Sequence, residues 1–234
     1  ALQLWVNHPQ IAYYTWMVIG FYLCWDTCLN IKNKNLIRLS MLKLGSIIIG
    51  LFIAILMVSD PYTDIYNFQK ESSRGAKSVL DQTKDTENGA SWNYATQWSF
   101  HPKELISFIY PYHYGLQNTQ DYKKGAYWGF MSFTQSTHYL GLIAIILAIL
   151  GLITKPSKIN IFFLIVTLLT ILVGFGSHLP ILYKPFFNLL PFFSKFRIPS
   201  MIYILLAVSV PISAAFGLDN LIFKKDKSNF FNKV

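Results

Sequence analysis

Apolar residues in this chain gather into long blocks rather than alternating with polar ones. Ile11 to Trp25, Met41 to Val58, Tyr139 to Thr154, Ile159 to Phe175 and Met201 to Leu218 carry few or no charges. Blocks of this length predict helices that cross a bilayer, because a helix satisfies its own backbone polar groups where no water can. Ala1 to Val6 reads as the last turns of an upstream helix, and Asn7-His8-Pro9-Gln10 as a turn, since Pro9 disfavours helix in the residue before it. Asp26 is expected to end the first block and Asn30 to Lys43 to form a loop. The second block is short for a bilayer at about 1.5 Å per residue, so Lys43 is expected to snorkel.

A polar stretch of about eighty residues, Asp60 to Thr137, separates the second block from the third, and connections of that length are usually functional or folded. Its best local helix is Pro102 to Tyr110, with Pro in the first turn, Glu104 near the start and a stop at Pro111; it is expected to lie on the membrane. Gln82 to Ala90 reads as an exposed turn. Leu179 to Pro199, rich in aromatics and prolines with a few cations, is expected along the outer interface. In the last block Pro211 predicts a kink, and Ser209, Ser213, Ala214, Ala215 and Gly217 a face for close helix packing. The predicted fold class is all-α: a polytopic transmembrane helical bundle with a long extracytoplasmic loop subdomain. Its divisions are 1–59 (membrane helices), 60–137 (the loop subdomain), 138–223 (three membrane helices with an interfacial segment at 179–199) and 224–234 (a basic cytoplasmic tail).

Composition agrees with a membrane protein: 53% of residues are hydrophobic, 17% aromatic and only 13% charged. The net charge of +9 raises the question of nucleic acid, which the placement of the charges answers. The stretch 60–137 is close to neutral. The surplus sits in Lys32, Lys34, Arg38 and Lys43, in Lys155 and Lys158, and in Lys224, Lys225, Lys227 and Lys233, the alternate short loops and the tail. That is the positive-inside distribution, so the charge sets topology and no nucleic-acid partner is implied. It places 60–137 on the outer side of the membrane. Cys24 and Cys28 read as free thiols that pack. The opening Ala1-Leu2-Gln3-Leu4 reads as the interior of a longer polypeptide, with its remaining N- and C-terminal parts as partners.

Candidate chemistry concentrates near the outer interface. Asp60 and Asp64, four apart, can share a divalent cation or act as a base, but a solvated helix end is the better reading and no metal is assigned. Glu71 and Arg74 are spaced to pair on a helix face, and an arginine at a membrane surface suits a phosphate because its planar fork binds bidentately. Arg197 can meet a phosphate in the same way, and His8 can move a proton. Trp92, Tyr94, Trp98, Tyr127 and Trp128 suit either sugar stacking or an aromatic belt. No phosphate loop, dinucleotide fingerprint, zinc spacing or nucleophile elbow is present.

Several short pieces, in order along nearly the whole chain, resemble the YfhO family of bacterial membrane proteins. They are Ala1-Leu2-Gln3 with Asn7-His8, Gln10 and Tyr13-Tyr14; Ser73-Arg74-Gly75; Tyr94-Ala95-Thr96-Gln97-Trp98-Ser99; Pro111 to Gly115; Tyr127-Trp128-Gly129 with Phe133-Thr134; and Lys195-Phe196-Arg197 with Ser200-Met201. The family often has a second Gly where Ala76 stands and a Gly pair where only Gly115 occurs. The resemblance implies a type C glycosyltransferase, which moves a sugar from a polyprenyl-phosphate carrier to a cell-envelope acceptor on the outer face. Arg74 and Arg197 would hold the carrier phosphate, Trp98 and Trp128 border the sugar, and Glu71 and Glu104 orient them. The catalytic acid of that fold lies in its first outer loop, upstream of Ala1, so its role does not pass to Asp60 or Asp64 and the catalytic residues here are unknown. A non-catalytic membrane protein that binds or translocates a lipid or envelope polymer is the alternative; nearly uncharged spans count against transport.

Overall fold

The computed structural model describes residues 2–6, 8–69, 91–115, 127–131, 138–154 and 156–223. These are helical, with no strand among them, so the all-α expectation holds. Among the described residues two stretches are long and apolar enough to cross a membrane, Lys34–Met57 and Pro199–Phe223, while Leu142–Thr154 and Lys158–Gly174 are apolar but shorter. The chain forms two compact units, Ala1–Ser91 and Trp92–Val234.

In the first unit α1 (Leu2–Trp5), α2 (Pro9–Asn30), α3 (Lys34–Met57) and α4 (Ser59–Gln69) follow one another closely. The expected loop from Asn30 to Lys43 shrinks to a turn before α3. Asn33 caps α3 by accepting from the N–H groups of Asn35 and Leu36 at 3.1 and 3.3 Å, which starts the helix at Lys34 and puts Arg38 and Lys43 on it. The helix is therefore longer than its apolar block, about 36 Å at 1.5 Å per residue. Asp26 does not end α2 either. It lies within the helix and accepts from Lys43 Nζ at 3.0 Å, Ser40 Oγ at 2.8 Å and Asn30 Nδ2 at 3.1 Å, so Lys43 pairs across the hairpin. Leu4, Ala12, Ala54 and Val58 form a small core, flanked by Trp16 and Tyr62. Most of α3 stays uncovered, with Ile48, Ile49, Phe52, Ile53 and Leu56 exposed. Cys24 and Cys28 are free thiols but exposed, contrary to the packing expectation, because four-residue spacing puts both on one uncovered face of α2. Asp60 and Asp64 are exposed on α4, as solvated helix residues are.

The second unit is built on α6 (Leu142–Thr154), α7 (Lys158–Gly174) and α9 (Leu206–Phe223), preceded by the short α5 (Trp92–Ala95) and joined by α8 (Pro180–Leu189). The third apolar block yields a helix three residues shorter than expected at its start, because Gly141 takes φ 92° and the turn it makes excludes Tyr139 from α6. The small-residue face of α9 meets α6 backbone to backbone. A Cβ on Gly217 would lie 2.0 Å from the Leu147 carbonyl oxygen, and one on Gly151 2.5 Å from that of Ser213. Thr167 Oγ1 donates to Ser209 Oγ and Asn220 Nδ2 to Thr154 Oγ1, both at 2.8 Å, which ties α9 to α7 and α6. Pro211 lies inside α9 as expected. A 3₁₀ helix, Pro199–Leu205, extends α9 at its start.

The expected helix at Pro102 to Tyr110 forms as a 3₁₀ helix, Pro102–Phe108, rather than an α-helix. Three residues per turn set Glu104 and Ser107 in one line, and both are buried.

Gly217→Ala should destabilise the second unit by about 1–3 kcal/mol, since the contact it crowds is rigid backbone. Thermal unfolding in detergent measures this, and an unchanged midpoint would mean the α6–α9 contact is looser than described.

Candidate functional site

The polar end of the second unit grows from the strip Trp98-Ser99-Phe100-His101. Phe100 donates its N–H to the Gly174 carbonyl at 3.0 Å, Ser177 donates its N–H to Ser99 Oγ at 2.9 Å, and Ser200 donates its N–H to the Trp98 carbonyl at 3.4 Å. Gly176 (φ 51°) allows this approach: a Cβ there would stand 2.1 Å from Ser99 Oγ and 2.8 Å from Pro199 Cγ. Beneath the strip the fully buried Phe100 stacks on Phe108 (5.5 Å between ring centroids) and meets Tyr203 and His138 edge-on at 5.0 and 5.6 Å. Burial holds His138 below the ordinary imidazole range, so it is a neutral member of this aromatic core.

Arg197 lies beside the strip. Its guanidinium carbon is 4.1 Å from the ring centroids of both Tyr94 and Trp98. Nη1 donates to Tyr94 Oη at 3.2 Å, and Nη2 donates to Gln97 Oε1. The next residue, Ile198, has φ 66°, a left-handed conformation that is costly for a β-branched side chain. The turn that carries the arginine is thus held by its surroundings against local preference. Trp92, by contrast, packs edge-on against Tyr183 and Phe187 (5.7 and 5.4 Å) as a structural ring.

Glu104 serves a second cluster. Both carboxylate oxygens accept from Tyr127 Oη at 2.9 Å, and Oε1 also accepts from the Phe130 N–H at 2.7 Å. Tyr127 Oη in turn accepts from the Met131 N–H at 3.1 Å. Burial raises the Tyr127 hydroxyl well above the usual phenol range and the adjacent Glu104 adds to this, so the phenol stays a donor. A Cβ at Gly129 would stand 2.2 Å from Tyr127 Oη, which is why glycine follows Trp128. The clamp leaves Trp128 63% exposed, its N–H donated to the Tyr114 carbonyl at 2.9 Å and its ring 4.6 Å from that of Tyr114.

Phe130 connects this cluster to a pair of histidines that sequence spacing did not single out. The His101 ring stacks on Phe130 at 3.9 Å and meets His178 edge-on at 4.8 Å. His101 Nδ1 accepts the Lys103 N–H at 3.1 Å and so caps the 3₁₀ helix. Partial burial of the His178 ring, and then the charge of His101, hold His178 below the ordinary imidazole range. The two residues come from distant parts of the chain, and the Gly176 turn brings them together.

Of the expected site residues, the structure joins Arg197 with Trp98, and Glu104 with the segment that carries Trp128. One face of Trp98 is taken by Arg197, whereas Trp128 is open. His8 is exposed in the first unit, just before α2. Glu71 and Arg74 lie outside the described residues. Among the described residues no three His, Cys, Asp or Glu side chains group as metal ligands would.

Glu104→Ala should cost about 1–3 kcal/mol, because it removes the acceptor of both the partly buried Tyr127 hydroxyl and the Phe130 N–H. Chemical unfolding measures the loss; a change below about 0.5 kcal/mol would show that the clamp is dispensable.

Comparison of the chain with protein-family models, with curated proteins and with solved structures finds no match.

Proposed function

We propose that this chain is part of a polytopic bacterial inner-membrane protein, of the kind the YfhO resemblance implies, that transfers a sugar from a polyprenyl-phosphate carrier to a cell-envelope acceptor on the outer face. In this reading about five helices span the bilayer. Lys155 and Lys158 mark the inner side, so α7 runs outward and its far end, with Arg197, Trp98, His101 and His178, faces the exterior.

The observation that carries the reading is Arg197, half-exposed on Tyr94 and Trp98 beside an apolar helical base. A guanidinium seated on two aromatic faces is held in a fixed orientation, and its planar fork suits a phosphate at the membrane surface. Trp128, open and rigidly seated, supplies a stacking face for the sugar. Glu104 orients Trp128 and Phe130.

One observation favours the non-catalytic alternative, a protein that binds a lipid-linked sugar or envelope polymer. Glu104, the described carboxylate of this polar end, is buried and committed to Tyr127 and Phe130, so it is not placed to activate an acceptor.

The test is transfer of radiolabel from polyprenyl-phospho-glucose and polyprenyl-phospho-N-acetylglucosamine to isolated envelope polymer, by membranes that carry the full-length polypeptide. Arg197→Ala should lower transfer about 10- to 100-fold, the cost of one charge-assisted phosphate contact, with Arg197→Lys intermediate. Donor binding that depends on Arg197 without any transfer would select the binding alternative. Transfer indifferent to Arg197→Ala would remove this residue from the site.

A further inference from the structure

The transferase reading needs a group to take the proton of the acceptor hydroxyl, and Glu104, the described carboxylate of the second unit's polar end, is committed to Tyr127 and Phe130. We infer that His178 is that proton acceptor, with His101 as its positioning residue; the inference rests on the transferase reading.

The argument begins with His101. Its Nδ1 is occupied as an acceptor of the Lys103 N–H, which puts the proton of the neutral ring on Nε2. For this reason the pair does not suit a metal, since coordination through Nε2 would require a ring with no proton on either nitrogen. Stacked on Phe130 and tied to the helix it caps, His101 is a fixed wall. His178, edge-on to it and exposed in the turn after α7, is the member of the pair free to exchange a proton with a substrate. His101 is the titratable group that acts on His178, and the described residues place no carboxylate within ion-pair distance of it.

Position agrees with this role. Gly176 is in contact with Pro199. His178 lies two residues beyond one side of that contact and Arg197 two residues before the other, each within about 7 Å of chain. Two side chains so placed can reach opposite ends of one sugar phosphate. In the step proposed, the acceptor oxygen bonds to the anomeric carbon and its proton passes to a ring nitrogen of His178. The bond from that carbon to the carrier phosphate oxygen breaks, and the phosphate leaves with the electron pair opposite Arg197. Water then takes the proton from His178.

The test uses the same transfer assay between pH 5 and 8. Wild-type kcat should rise with pH and level off below the ordinary imidazole value of about 6.5. His178→Gln should lower kcat about 10²- to 10³-fold, abolish that acid limb, leave the donor KM within about twofold and be partly rescued by added imidazole. His101→Asn, which keeps a capping side chain, should lower kcat less than His178→Gln does and move the acid limb to higher pH, because a neighbour that depresses His178 is gone. Equal unfolding midpoints establish that each variant is folded. A His178→Gln protein that keeps the rate and the acid limb, or loses activity through KM alone, overturns this inference and leaves the transferase reading standing. A wild-type protein that transfers nothing from either donor overturns both.

Discussion

Close approach at the end of α7 is the constraint on which the polar end of the second unit depends. Gly174 presents its carbonyl to Phe100, and Gly176 lies so near Ser99 and Pro199 that any side chain there would collide with them. Because of these two contacts the strip Trp98–His101 sits against α7. Trp98 then meets Arg197 on one side of the strip, and His101 meets His178 at its end. The helices beneath obey the same rule: Gly151 and Gly217 let α6 and α9 touch through backbone, and the Thr167–Ser209 hydrogen bond ties α7 to α9.

The charges show a division of labour. Asp26 and Lys43 neutralise each other within the α2–α3 hairpin, and Ser40 and Asn30 fill the remaining acceptor positions of the carboxylate. Glu104 has no cation among its described partners and is held by a phenol and a backbone N–H, so its charge organises a loop rather than a reaction. Arg197 is the reverse case, a cation placed on aromatic rings and left partly open to solvent. The proposed phosphate contact is centred on this partly open guanidinium.

Much of the fold was legible in the sequence. Apolar blocks of helical length, a polar stretch between them and basic residues in alternate loops led to an all-helical chain with its elements in nearly the right places. The errors have local causes. Asn33 is a strong cap and pulled α3 into the expected loop; Gly141 took a left-handed turn and trimmed α6; and Pro102 to Phe108 wound tightly enough to bury Glu104 and Ser107 in one line. The exposure of Cys24 and Cys28 was illegible because helical spacing groups residues on a face without saying which face is covered.

What the sequence determined by itself is therefore whatever depends on near neighbours: helix extent, caps, the small-residue stripe of α9, and the kinds of side chain gathered at the polar end. What the tertiary structure alone decided is which of those side chains meet. His101 and His178, Arg197 and Trp98, and Glu104 and Tyr127 are each brought together by folding rather than by periodicity. No pattern along a chain encodes such a pairing, because it depends on how closely two backbones can approach, and here Gly174 and Gly176 set that distance against a strip more than seventy residues earlier in the chain.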